Sequence, residues 1–401
     1  MAEIHNKKQA GVPSRLAKWV RGGQRRLAEG AMAGKLATLR ARRSGKPVRK
    51  ILIFSDRLSV TSEQQLAPLV RYRQTIAAQL GFVFEFSHVD RLDRHLAKGF
   101  SGYSAVGLKL IFNTPAAQAE TMAKTLFDAA RADGARGLVF DGDDDSCVLW
   151  PGMIDACDAY IKKHRFADPE MYKESFVGKT NLTSYANATY GVDFSDDIIP
   201  HSTALTQSQI DKILLGWNIG LDDKIFWLAQ DLSPQALGWP KQYDISCRAS
   251  VTPEKWIFGM RDAAVKAIEA MRAKLRIHAP TDRVGQQEYY NEMLESRFSV
   301  SPFGFGELCW RDFEAILCGS VLIKPDMAHI ETWPNLFVAG ETYIPVAWDF
   351  TDLDGASAPL ATDEALRLRM AETARGKLLD ALTPDAFLNR LDKTLREAGL
   401  G

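Results

Sequence analysis

Arg311 and Glu314 stand three residues apart, Glu307 stands four before the arginine, and the loop Pro302-Phe303-Gly304-Phe305-Gly306 comes directly ahead of them. The apolar positions Leu308, Phe313, Ala315, Ile316 and Leu317 predict a helix over 307–318, which would turn Glu307, Arg311 and Glu314 towards one side. An arginine offers a planar fork of donors that paired phosphate oxygens accept. Backbone N–H groups at a helix N-terminus favour an anion as well, so Gly304, Phe305 and Gly306 become candidate contacts. Glycines there let the backbone approach a ligand closely. A carboxylate at Glu314, inside an apolar run, needs a partner, and the vicinal hydroxyls of a sugar supply one. These residue types at this spacing suit a nucleoside diphosphate joined to a sugar. The plainer alternative for Glu307 and Arg311 is a carboxylate facing the helix dipole and a surface ion pair.

The elements that must position these groups are readable on both sides. The apolar run 298–301 reads as a strand, Gly319 as the glycine closing the helix, and Val321-Leu322-Ile323 as a buried strand stopped by Pro325. Such a unit binds ligands at the carboxyl ends of its parallel strands. Arg248, at the end of a predicted strand 244–248, is a further candidate for the diphosphate.

The run Ser301-Pro302-Phe303-Gly304-Phe305-Gly306, followed by Arg311, Phe313-Glu314-Ala315 and Gly319, resembles the donor-binding signature of exostosin-like glycosyltransferases of GT-B fold, of bacterial type. A looser match extends back to Tyr289-Tyr290 and Ser296-Arg297. The resemblance implies two Rossmann-like lobes facing a cleft, Arg311 on the nucleotide diphosphate, Glu314 on the ribose, and a C-terminal helix returning across both lobes. Ser301 and Phe303 depart from the family, which has a basic residue or cysteine near the loop's start. Gly306 stands where the wider GT-B group often carries a glutamate, a difference that points to inversion at the sugar carbon.

With 401 residues, the chain suits two domains that can each bury a core. A hydrophobic fraction of 46% and a charged fraction of 25% are those of a globular protein and exclude disorder for the bulk. No run has the apolar length of a membrane span, and no signal peptide is readable. The five cysteines show no metal-ligand or paired spacing, so a reduced, cytoplasmic location is expected.

The net charge of zero hides an asymmetry: residues 1–50 carry 14 Lys or Arg against two Glu, and the rest carries 36 basic against 48 acidic residues. The expected organisation is a basic amphipathic arm over 1–48, an acceptor-side lobe over 49–235, a nucleotide-sugar lobe over 240–385 and a terminal helix over 386–401. In the arm, Leu16, Trp19, Val20 and Leu27, then Met32, Leu36 and Leu39, recur at helical intervals among arginines and lysines. That pattern fits an anionic membrane surface, peripherally on the inner face of the plasma membrane, or else a solubilising tail. Nucleic acid is not an expected partner, because no basic, aromatic surface continues into the body.

Strands at 51–54, 82–86, 105–112, 137–140 and 159–161 alternate with helices, giving an α/β class with a parallel sheet. The strand at 137–140 ends in Asp141-Gly142-Asp143-Asp144-Asp145. Asp143 could take an acceptor's proton as a general base, the cluster could hold a metal, or it could be a solvated turn. Asp56 and His88, at other strand ends, are rival bases. The run Lys162-Lys163-His164-Arg165 reads as a solvated loop or a contact for an anionic acceptor. Residues 166–205 read as a long loop, 210–228 as helical, and 233–240 as the linker.

The expected activity is transfer of a glycosyl group from a nucleoside diphosphate sugar to a saccharide or lipid-linked acceptor in surface polysaccharide or glycan synthesis, with inversion and no metal required. Its rivals are a metal-dependent phosphotransferase or hydrolase using 141–145, and a non-catalytic nucleotide-binding scaffold at the membrane.

Overall fold

The structure, a computed structural model, describes residues 15–56, 60–195, 202–232, 234–252 and 255–401. Beyond residue 18 its contacts divide into two units. The N-terminal lobe comprises Trp19–Asp223, His329–Pro334 and Ala381–Gly401; the C-terminal lobe comprises Lys224–Ala328 and Asn335–Asp380.

The N-terminal lobe carries β1 (Arg49–Ser55), β2 (Phe82–His88), β3 (Ala105–Lys109), β4 (Arg136–Asp141), β5 (Ala159–Lys162), β6 (His164–Phe166) and β7 (Ile213–Leu215). All but β6 form one sheet in the order β2-β1-β3-β4-β5-β7, with every neighbouring pair parallel. Consecutive residues Ile51 to Phe54 and Leu138 to Phe140 are buried, so side chains from both faces of the sheet are covered, as a parallel sheet requires. The strand order reverses between β1 and β3, where open α/β sheets place ligands. Asp56 follows β1 at that point.

In the remaining chain run β8 (Tyr243–Ser246), β9 (Ile277–His278), β10 (Ser296–Val300), β11 (Val321–Pro325), β12 (Ile330–Thr332) and β13 (Tyr343–Val346). β12 belongs to the N-terminal lobe, where it pairs antiparallel with β6. The other five make the C-terminal sheet, ordered β13-β11-β10-β8-β9 and wholly parallel. Its core joins Ile245, Phe298, Val300, Val321 and Ile323 to Ala264 and Ile268 of the Phe258–Ala270 helix. Here the reversal lies between β8 and β10. Two Rossmann-like lobes are therefore present.

Several boundaries differ from expectation. The division runs at Asp223–Lys224 rather than within 233–240, and Lys224 pairs with Glu314 of the C-terminal lobe. From residue 15 on, the N-terminal segment is no free arm. Its helices, Arg15–Glu29 and Ala31–Arg43, are tied down where Arg73 donates to the carbonyls of Ala28, Glu29 and Gly30 and Arg25 pairs with Asp223. Ala37 and Ala41 pack on Ala77 and Val83. The side chains of Leu16, Trp19 and Val20 lie outside the described residues.

The final helix, Pro384–Glu397, is part of the N-terminal lobe: Arg390 donates to the carbonyl of Gly216 at 2.9 Å, and the Phe387 ring meets Trp217. The segment 166–205 contains a helix, Asn181–Tyr190, capped reciprocally by Thr180 and Thr183. Within 210–228 the chain forms β7 and then enters the Asp223–Asp231 helix.

The helix that matters most for the site, Trp310–Leu317, ends as its glycine predicts. Gly319 takes φ +73°, its N–H donates to Ile316 and the next N–H, of Ser320, to Ala315. A Cβ there would come within 2.9 Å of the Ala236 carbonyl. Gly319→Ala is expected to destabilise the C-terminal lobe by roughly 1–3 kcal/mol, read as a lower urea midpoint against the parent.

Candidate functional site

The C-terminal site grows from the end of β10. The chain leaves the strand at Ser301, loops, and enters its helix at Trp310 with Cys309 as the capping residue. Asp312 fixes this path. Its carboxylate accepts from the Cys309 N–H at 2.9 Å, the Ser301 hydroxyl at 2.6 Å and the Lys324 ammonium at 3.2 Å. Asp312 and Lys324 are both fully buried. A buried ion pair is tolerated when further hydrogen bonds engage its remaining polar valences, and the hydroxyl and amide do that here. The turn needs no left-handed residue, since the positive-φ glycines of this lobe are Gly319 and Gly340. Gly304 lies beside Arg261, whose guanidinium would stand in ordinary contact, 3.6 Å, from a Cβ at that position.

Arg311 sits in the first turn of the helix, half-buried. One terminal nitrogen donates to the Arg248 carbonyl at 2.8 Å, while Nε is buried with no hydrogen-bond partner. Arg261 donates to the carbonyls of Ser250 and Phe303 at 3.1 and 3.4 Å. Among the described residues, neither guanidinium makes an ion pair. Burial first, and the charge of Arg311 second, push the Arg261 guanidinium below its usual range. Arg311, Ser246, Cys247 and Ser299, together with the ion-paired Arg248 and Glu292, border a narrow crevice at the reversal between β8 and β10. Neither of these two cations is paired with a carboxylate, and both come near the carboxyl ends of parallel strands, where an anion is favoured. Phe305 stands exposed on the loop, its ring 6.2 Å from that of Trp256.

Other expected contacts are engaged elsewhere. Glu307 is buried in the loop and precedes the helix, so its spacing to Arg311 is not a helical pairing. Glu314 is on the helix and buried, but its carboxylate takes the Lys224 ammonium at 2.6 Å and the Tyr290 hydroxyl at 3.1 Å. A lysine and a tyrosine thus supply partners for the carboxylate at this position. Arg248 turns its fork to Glu292, at 2.5 and 2.7 Å, and to Asp282, and offers the site only its carbonyl.

In the N-terminal lobe the acidic and basic runs answer each other. Asp141 and Lys162 are opposite in the β4–β5 register and pair at 2.7 Å, both buried. Asp144 pairs with Lys163 at 3.1 Å, and Lys179 bridges Asp143 and Asp145. Neighbouring parallel strands end side by side, so runs that follow them meet. The lysines stand where the metal reading would set a cation, and among the described residues no three metal-ligating side chains converge.

Burial alone would raise the Asp143 carboxyl, but Lys179 more than reverses this and holds it at about 2. Paired in this way, the carboxylate is a weaker proton acceptor near neutrality than a free one. Asp56 accepts from the Ile111 N–H, and its own carbonyl lies 2.7 Å from His88 Nε2. His88 is bound to that carbonyl and to Asp90 at 3.1 Å, as a positioning residue would be.

Arg261, Lys224, Lys179 and Lys324 escaped sequence reasoning. Each is distant in sequence from the group it serves, and only Lys324, a lone cation ending an apolar strand, carried any local signal.

No family model matches the chain, and no curated protein matches it. Similar solved structures include HepE from Anabaena in complex with UDP-glucose, at 10% identity over 86% of this chain and 99% of that one, with a TM-score of 0.43. A glycosyltransferase from Rickettsia africae is 12% identical over 87% of this chain and 98% of its own, with a TM-score of 0.45. A UDP-forming α,α-trehalose-phosphate synthase from Burkholderia vietnamiensis is 9% identical over 88% and 98%, with a TM-score of 0.44.

Asp143→Asn leaves Lys179 a weaker set of partners, and breaking a buried pair costs about 3–5 kcal/mol. A depressed folded-state pKa stabilises above the unfolded value of 3.8 and loses that stabilisation as pH falls towards 2. Melting curves of parent and variant should therefore stay far apart from pH 7 down to about pH 4 and converge only as pH falls to about 2.

Proposed function

We propose that this chain is a glycosyltransferase in which Arg261 and Arg311 hold the diphosphate of a nucleoside diphosphate sugar. The observation that carries the reading is the pair of guanidiniums without a counter-ion at the reversal between β8 and β10. The unused Nε of Arg311 supplies a donor for a phosphate oxygen, and Phe305 and Gly306 lie in the adjoining loop, where the Gly304 N–H is already given to the Gly306 carbonyl at 3.2 Å and the helix begins only at Trp310. The resemblance of this loop and helix to exostosin-like glycosyltransferases supports the same role for Arg311.

In the reaction an acceptor oxygen attacks the anomeric carbon while the carbon–oxygen bond to the diphosphate breaks. The electron pair leaves on the diphosphate, and cations already fixed there stabilise the charge where it develops. Two guanidiniums supply that countercharge, so this reading requires no metal. The acceptor is a saccharide or a lipid-linked saccharide, the setting is surface polysaccharide or glycan synthesis in the cytoplasm, and the outcome is inversion. Asp56, at the β1–β3 reversal, is the better candidate base now that Asp143 is neutralised by Lys179. Glu314 acts as a positioning residue through Lys224.

Calorimetric titration with UDP, GDP and CMP in the presence of EDTA tests the donor site. One nucleoside diphosphate should bind, and Arg311→Ala or Arg261→Ala should each weaken it roughly tenfold or more while circular dichroism shows the fold retained. Parent-like affinity in both variants would refute the site. Asp56→Asn should lower turnover by about 10²–10⁴-fold with nucleotide affinity intact; full activity removes Asp56 as base. Nucleotide binding without turnover of any nucleotide sugar would favour the scaffold reading.

A further inference from the structure

A hollow of about 890 Å³ opens in the N-terminal lobe, bordered by the Arg15–Glu29 and Ala31–Arg43 helices and by β1 and β2. Its walls carry Arg26, Lys35, Arg42, Arg73 and Arg91, and among the described residues none of the five makes an ion pair. The two carboxylates on the same walls are already taken. Glu29 pairs with Arg25 at 3.1 Å, and Glu85 accepts from Tyr103 at 2.7 Å and pairs with Lys50 at 3.4 Å.

Arg73 is the fixed cation of the group, being only 2% exposed. One of its terminal nitrogens holds three backbone carbonyls, while its Nε is buried with no hydrogen-bond partner. A buried guanidinium with an unused donor, bordering a hollow rich in unpaired cations, calls for a multivalent oxyanion.

The outer face of the Ala31–Arg43 helix narrows the choice. Met32, Leu36 and Leu39 follow one another at i, i+4 and i+7 and are 77, 45 and 50% exposed. Leu27, on the preceding helix, is also exposed. No acidic residue occurs between Glu29 and Asp56. A soluble phosphate or a nucleic acid would satisfy the cations and leave these apolar side chains in water. A lipid surface satisfies both, taking the cations at headgroup depth and the apolar row at the acyl boundary.

We propose that this hollow seats the phosphate headgroup of an anionic phospholipid and docks the N-terminal lobe on a membrane surface. The inference stands apart from the transferase reading and uses none of its residues.

Sedimentation of the full chain with vesicles of phosphatidylglycerol or of phosphatidylcholine tests it. The chain should bind the first, progressively less as salt rises, and not the second. Lys35→Glu with Arg42→Glu, both at exposed positions, should weaken binding by roughly 25-fold or more. Met32→Ser with Leu36→Ser and Leu39→Ser should weaken it too, both variants keeping the parental melting temperature. Equal binding to the two vesicle types, parental binding by either variant, or full displacement by free glycerol 1-phosphate would overturn the proposal. So would duplex DNA binding more tightly than the anionic vesicles.

Discussion

Two like charges held together in a half-buried corner raise the free energy of a fold, and the C-terminal lobe keeps Arg261 and Arg311 in that state. Backbone carbonyls of Ser250, Phe303 and Arg248 satisfy some of their donors but cannot cancel their charge. What makes the arrangement sustainable is the stiffness around it. The Asp312–Lys324 pair ties the start of the helix to β11, and the left-handed Gly319 closes its far end against Ala236. Arg248, by contrast, is neutralised by Glu292 and Asp282 and recedes into the scaffold. Binding an anion would remove the repulsion, so ligand and lobe stability are thermodynamically linked.

The N-terminal lobe handles charge in the opposite way. Asp141, Asp143, Asp144 and Asp145 lie against Lys162, Lys163 and Lys179, with most of the group withdrawn from water. Lys109, also buried, donates to the Leu110 carbonyl, and its ammonium is pushed down mainly by burial. A network matched this closely depends on the β4–β5 register, because a slip of one residue would turn Asp141 and Lys162 to opposite faces. Such a network specifies the sheet; it leaves little free charge for a substrate.

The elements legible in the sequence were those written in neighbouring residues. Apolar runs gave eight of the parallel strands in approximate position, and Gly319 marked the helix end by the conformation only glycine adopts easily. The start of that helix was misplaced because Leu308 continues the apolar periodicity. The cap is decided instead by Asp312 reaching back to the Cys309 N–H. The acidic and basic runs each resemble a solvated turn when read alone, and only the parallel pairing of β4 with β5 brings them together. β7, three residues long between a turn and a helix, is too short to show a period. At the site, Arg311 was visible from its motif, while Arg261 appeared as one more polar position on a long helix.

The last helix adds a constraint of timing. β7 is an edge strand, and the carbonyl groups of Leu215 and Gly216 are claimed by Arg390 and Thr394. During translation the ribosome delivers β7 early and must then make the whole C-terminal lobe before the residues that cover this edge emerge. Throughout that interval the nascent sheet presents a margin open to pairing with foreign strands. A chain cut short ahead of Pro384 would carry that open margin for its whole lifetime.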